Sequence, residues 1–392
     1  MMLSRVIGGI LLIVGTSIGA GMLALPVATA AAGFWGSSLF LLLCWALMTI
    51  GAFFILEVNL YLPQRKHMVS MANATLGLPG LITAWLSYLF LLYTLLSAYI
   101  SGGADVLDGL LSHINVHAPP ALLATVFTLV FGFIVYCGIR QVDVVNRGLM
   151  FAKLAAFLVL VGLISSHVDL SYLRAGHILK IKGSLMLLMT SFGFAIIIPN
   201  LRDYFDDDIK TLKKVILIGS LIPLFCYFAW DAAIIGTVPS SGADGLTALM
   251  HSSHTTSQLA ATLSKTVDST IISSLFNFFT SICMLTAFLG VSLCLLSFLS
   301  DGLDLSKQGK QGGALFLLTF LPPLMIVLYY PGAYIYALNY AGYFCVILLM
   351  LLPALMAYFG RRHFTPKYQV PGGKIAQLFV MACAILLMII AA

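Results

Sequence analysis

Eleven apolar runs long enough to cross a membrane organise this chain. They fall at about 6–32, 35–62, 81–111, 119–139, 147–166, 178–200, 215–238, 269–300, 313–330, 332–359 and 375–391, each bounded by polar residues or Pro/Gly punctuation. A chain of 392 residues that is 61% hydrophobic and 9% charged, with a mean hydropathy of +1.05, cannot cover itself with polar surface in water. The sequence therefore predicts an all-α polytopic membrane protein with 11 transmembrane helices, a single transmembrane domain over 1–392 and no soluble domain. The long outer segment 239–268, rich in Ser, Thr, Gly and His, is expected to carry a short helix that moves during gating.

The net charge of +6 indicates no nucleic acid, because the basic residues have a simpler use in setting topology. With the N-terminus cytoplasmic, sixteen of the 20 basic residues fall on that side and only Arg174, Lys180, Lys182 and Lys265 on the other. The odd number of spans then puts the C-terminus on the outer side. The seven cysteines lie in apolar runs without a C-x-x-C pair, and no histidine lies inside a run, so no metal site and no disulfide is expected. The N-terminal run can also be read as a signal peptide ending at Ala28-Thr29-Ala30. That reading would discard the glycine-rich stretch described next, and retention is the expectation.

Gly15-Thr16-Ser17-Ile18-Gly19-Ala20-Gly21-Met22 sits in the middle of the first run. Each glycine costs about 1 kcal/mol relative to alanine in a helix interior, and hydroxyls can compete for backbone groups, so the spacing predicts an unwound turn. A break at the midplane offers free N–H groups to an anion and free carbonyls to a cation, which is how secondary transporters hold substrates. The alternative is a close-packing Gly-x-x-x-Gly face. Thr16-Ser17-Ile18-Gly19 is echoed by Thr190-Ser191-Phe192-Gly193 in the sixth run, and each is followed by a proline, Pro26 and Pro199. Runs 1 and 6 are five spans apart, so the echo predicts a 5+5 inverted repeat, about 5–166 and 178–359, with broken helices 1 and 6 and an extra helix at about 375–391.

Ionisable residues inside spans are costly and so are candidates for function. Glu57 in run 2 and Asp231 in run 7 are each read as a proton-linked carboxylate, or as a paired or wetted side chain. Asp105 and Asp108 at the outer end of run 3 are read as solvated. Lys153 in run 5 either snorkels to the cytoplasm or acts inside the protein. Phe192, Phe194 and Tyr99 cluster where a substrate would sit, although aromatic residues in such helices are also ordinary core.

The stretch Gly15–Leu23 with Pro26, Leu56-Glu57-Val58, Ala98-Tyr99-Ile100-Ser101-Gly102, Val142-Asp143, Asn146-Arg147, Ala152-Lys153, Thr190-Ser191-Phe192-Gly193-Phe194, Thr319-Phe320-Leu321-Pro322-Pro323 and Ala341-Gly342 together resemble the bacterial hydroxy and aromatic amino acid permeases, above all their tyrosine-specific branch. The resemblance spans nearly the whole chain. It implies the leucine-transporter-type fold and alternating-access import of an aromatic amino acid with protons across the bacterial inner membrane, with no cofactor. Tyrosine is the first expectation, and tryptophan or another amino acid stays open. It also implies that Thr16, Ser17, Gly19, Ala20 and Gly21 hold the substrate carboxylate, while Ser191, Phe192, Gly193 and Phe194, with Tyr99, meet its amine and side chain. Lys153 then stands where sodium-coupled relatives hold a cation, with Ser281 and Thr286 of run 8 completing the site. The chain departs from the tyrosine pattern after Phe194, where Ala195 and Ile196 replace a more polar pair. The rival is a membrane sensor or enzyme; the first would need an output segment and the second a converging catalytic set, and neither is visible in the sequence.

Overall fold

The computed structural model describes residues 2–62, 67–112, 118–137, 139–242, 245–250, 252, 254–365 and 367–392, with side chains from residue 5 onward outside 139–147. Arg65, Lys66, His113, His117 and His251, and the side chains of Arg140, Val142, Asp143, Asn146 and Arg147, lie outside these.

Among the described residues the chain is helical with no strand. The first run becomes α1 (Met2–Ser17) and α2 (Ala20–Thr29), followed by α3 (Gly33–Asn59), α4 (Met68–Ser112), α5 (Pro120–Tyr136), α6 (Ile139–Ser165) and a short α7 (Leu170–Arg174). The sixth run is α8 (Leu185–Ser191), a tight 3-10 stretch Gly193–Ile197, and α9 (Ile198–Tyr204). Then come α10 (Ile209–Ile235), the loop helices α11 (Leu246–Leu249) and α12 (Thr255–Val267), α13 (Thr270–Leu303) and α14 (Gly309–Tyr329). The tenth run is α15 (Tyr334–Val346) and α16 (Leu352–Gly360), joined by a π-helical turn Ile347–Leu351, and α17 (Gly373–Ala391) ends the chain.

Nine helices are long and apolar enough to cross a membrane among the described residues, and the bent pair α1–α2 adds a tenth. The remaining expected span is α5, whose 17 residues reach only about 26 Å. It is apolar throughout but short for a bilayer core of ~30 Å.

The tenth run, α15 to α16, packs closely against its neighbours because small residues let backbones approach. A Cβ at Gly342 would lie 2.1 Å from Met186 O, and one at Gly51 would lie 2.3 Å from Leu349 O of the π-helical turn. Gly33 closes the turn between α2 and α3 at φ +75, where a Cβ would stand 1.9 Å from Ala175 O. α10 packs along α1, α2 and α3; α13 packs along α4 and α6; α15 packs along α4 and α8. The two helix breaks lie between these groups.

Candidate functional site

The break in helix 1 is narrower than the glycine spacing predicts. Gly15 stays helical, and only Ile18 and Gly19 leave the helix, where the axis turns by 50°. Gly19 is fully extended, at φ −156 and ψ −151, and so starts α2 without a side-chain cap. The first N–H groups of such a helix have no acceptor inside it. In helix 6 the backbone tightens into 3-10 geometry from Gly193 rather than unwinding.

The carbonyls freed at these breaks are held by long side chains from other helices. Lys153 Nζ donates to Ile18 O at 2.6 Å. Tyr227 Oη on α10 lies 2.7 Å from both Ser17 O and Ser191 O, one carbonyl from each break. The Tyr334 hydroxyl on α15 donates to Ala20 O. Nothing in the sequence spacing singles out Tyr227 or Tyr334, because each is an isolated phenol in an apolar run. A tyrosine that far inside a membrane helix must still find a polar partner, and that need was the available signal.

Between the breaks lies a cavity of ≈ 500 Å³. Thr16, Ser17, Gly19, Ala20, Gly21, Tyr99, Lys153, Ser191, Gly193 and Thr286 all line it. The Ser17 hydroxyl is buried without a hydrogen-bond partner, whereas Thr16 donates back to Ile13 O at 2.8 Å. The remaining wall is largely apolar, with Leu91, Leu92 and Leu95 of α4, Ile196 and Ile197 after the second break, Val291 of α13, and the thiols of Cys294 and Cys345. Along α1 the lining runs from Gly8 to Ser17, but on α2 it stops at Gly21. The cavity therefore opens toward the N-terminal end of helix 1.

Several expected residues stand elsewhere. Phe192 and Phe194 are fully buried and do not line the cavity; Phe192 packs edge-on against Tyr227 at 5.2 Å, because the 3-10 turn rotates its ring away from the opening. Ile196 and Ile197 face it instead. Ser281 is also outside, its hydroxyl donating to Asn277 O at 2.6 Å. Thr286 lines the wall, with its hydroxyl donating to Ile282 O at 2.8 Å. Lys153 is 1% exposed, so its stem does not reach the surface to snorkel.

Glu57 is committed to a buried knot. Arg361 donates to its two oxygens at 2.6 and 2.8 Å, Tyr61 Oη donates at 2.7 Å, and Val370 N–H donates at 2.7 Å. The carboxylate beside it holds the Arg361 guanidinium above its ordinary pKa. Asp231 is buried away from the cavity against the Ser37 hydroxyl.

Asp105 is not solvated as its position at the end of a span suggests. It is 6% exposed and caps α12, accepting from Thr256 N–H at 2.7 Å and from Ser257 Oγ at 2.5 Å. His254 Nδ1 stands 3.4 Å from Asp105 and 3.5 Å from Asp108. The hydrogen-bonding Asp105 carboxylate raises the His254 pKa, against a smaller lowering by burial. Among the described residues no group of His, Cys, Asp and Glu side chains could hold a metal ion.

Comparison with known proteins agrees with this architecture. A family model described as the tryptophan/tyrosine permease family matches residues 2–391. Tyrosine-specific transport system 1 of Haemophilus influenzae is 34% identical over 98% of this chain and 96% of its own length. A tryptophan-specific transport protein of Pseudomonas aeruginosa is 31% identical over 96% of this chain and 91% of its own. Among solved structures, MhsT in complex with L-phenylalanine aligns over 98% of both chains with a TM-score of 0.68 at 14% identity, which establishes a shared leucine-transporter-type fold. With full-length similarity and a helix-break cavity of this kind, the chain is a multi-pass membrane transporter, not an enzyme, and belongs to the tryptophan/tyrosine permease family.

Proposed function

We propose that this permease imports an aromatic amino acid, tyrosine in the first instance, together with protons across the bacterial inner membrane by alternating access. The observation that carries this reading is the Lys153 ammonium seated on Ile18 O at the helix 1 break. It puts a fixed positive charge where a carrier driven by a metal cation would need a loose one, and it leaves the neighbouring N-terminal turn of α2 to an anionic group. The substrate carboxylate then sits on the N–H groups after Gly19, with Ser17 offering its unpartnered hydroxyl. The amine sits near Ser191 and Gly193, and the ring lies between Tyr99 and the apolar wall of Leu95, Ile196 and Ile197. Relatives named for tyrosine and for tryptophan support an aromatic side chain.

The same reading counts α5 as a span. Helices 1–5 and 6–10 are then inverted repeats, with α17 an addition, the N-terminus cytoplasmic and the C-terminus periplasmic. The cavity is in that case open to the cytoplasm. Proton coupling belongs to the buried ionisable groups Lys153 and Asp231, with Thr286 lining the same cavity as the lysine. Glu57 and Ser281, tied up in other bonds, serve structure.

The test is uptake of labelled tyrosine, tryptophan and phenylalanine into proteoliposomes. Accumulation is expected under an imposed pH gradient in sodium-free buffer, with no further stimulation by sodium. Uptake that requires sodium, or that ignores the pH gradient, overturns the reading.

A further inference from the structure

Asp231 lies in α10, four residues before the helix ends at Ile235, and is fully buried. Its Oδ2 accepts from the Ser37 hydroxyl of α3, and its Oδ1 has no hydrogen-bond partner. The neighbouring Thr29 hydroxyl, at the end of α2, gives its own proton to Leu25 O at 2.8 Å. The adjacent Trp230 Nε1 is likewise without a partner.

No counter-charge is in place among the described residues. Among the described residues, the charged side chains on elements packed against α10 are engaged elsewhere or exposed: Arg5 on α1 pairs with Asp206, Glu57 on α3 with Arg361, and Lys153 on α6 with Ile18 O, while Arg174 on α7 and Asp169, which caps that helix, are exposed. The other titratable groups, Cys44 on α3, Tyr172 on α7, and Cys226 and Tyr227 on α10, are uncharged in their protonated forms. Around the ring of Trp230 stand Phe157, Phe276 and Phe279. An ionised carboxylate in such surroundings is far costlier than one neutralised by a proton.

We propose that Asp231 is a proton-binding site of the transport cycle, loaded while the opposite face of the molecule is open and still occupied in this conformation, its proton leaving on the cavity side before the empty carrier returns. The cavity reaches along α1 but touches α2 only at Ala20 and Gly21, so this conformation is shut at the far ends of α2 and α10. Opening that face admits water to within about 6 Å of Asp231, the rise of four helical residues. A carboxyl with one free oxygen takes up a proton from the water on that side, and closing the face traps it in the neutral form that burial favours. Ser37 suits both forms, since a hydroxyl can donate to the carboxylate or accept from the acid.

The inference rests on the proton-driven reading, and the experiment separates the two. Full-length protein in proteoliposomes is given labelled tyrosine under a gradient of one pH unit, which supports about tenfold accumulation per proton carried. Asp231→Asn, an uncharged mimic of the protonated acid, should keep tyrosine exchange at equal pH on both sides and lose the accumulation. Infrared spectra of the parent should carry a protonated-carboxyl band that Asp231→Asn removes. Ser37→Ala, which takes away the donor to the ionised form, should move the pH profile of exchange upward.

Parental accumulation by Asp231→Asn, or an unchanged carboxyl band, overturns the assignment while the proton-driven reading stands. A parent that does not accumulate tyrosine overturns that reading instead, and the infrared comparison then decides Asp231 by itself. Should the asparagine variant fail to insert, the Ser37→Ala profile decides, and an unmoved profile overturns the proposal.

Discussion

Glu57 shows how far a residue's neighbours determine its role. In the sequence it is a lone glutamate in an apolar run, a natural candidate for moving protons. In the structure four donors from three segments close on its two oxygens. Removing one partner of a buried pair leaves the other charge stranded, at a cost of about 3–5 kcal/mol. Glu57→Ala is therefore expected to lower the thermal stability of the detergent-solubilised protein by that order. The molecules that remain folded should transport with unchanged dependence on the pH gradient, and altered coupling at unchanged stability would contradict this role.

Gly19 is the reverse case, a residue whose importance lies in the space beside it. A Cβ there would meet only Ala287 Cβ, at 3.9 Å. The position can thus accept a side chain without disturbing the helices, but that side chain would project into the cavity. Gly19→Val should insert and melt as the parent does while losing tyrosine binding, measured by scintillation proximity; unchanged affinity would move the carboxylate site elsewhere.

At the scale of elements, the broken helices are tied by side chains rather than by their own backbone. Tyr227→Phe removes the only hydroxyl that reaches both Ser17 O and Ser191 O among the described residues, leaving buried carbonyls short of a donor at about 1–3 kcal/mol. Hydrogen exchange at Ile18–Gly21 and at Phe192–Phe194 should accelerate together. Acceleration at one break alone would mean that the two are held independently.

The loop helix α12 is held in another way, by Asp105 at its N-terminus and by His254 against both Asp105 and Asp108. Because the His254 pKa is raised, its contribution is fully present below the ordinary histidine pKa and is lost as the pH rises through the raised one. Amide protection of Thr256 and Ser257 should fall over that upper window, and His254→Gln should flatten the dependence.

Much of this element layout is legible in the sequence, since hydrophobic length marks the spans and three glycines mark the first break. The second break is legible only as an echo. Its 3-10 stretch, which presents Ile196 and Ile197 while Phe192 turns inward onto Tyr227, packs against α1 and α3 in a way that no local spacing encodes. The same limit applies to Asp105, whose partner helix is about 150 residues away in sequence.

For the whole molecule, Lys153 ties α6 to the first break through Ile18 O. Lys153→Ala leaves Ile18 O without its ammonium and uncouples α6 from the break. The variant should reach the membrane in normal amount and lose concentrative uptake. Full accumulation by Lys153→Ala would return the lysine to a packing role. Small residues at Gly51 and Gly342 hold the surrounding helices at contact distance, so a change at the break cannot be absorbed by slack in the scaffold.

Tyr227 carries one hydroxyl proton, and two carbonyls stand at equal distance from it. At any instant one of them is served and the other goes short. An empty carrier is thus left with a standing rivalry between its two hinges. A substrate ammonium arriving near Ser191 would end that rivalry by giving the second carbonyl a donor of its own, so that occupancy is sensed as the settling of a contest over a single hydrogen.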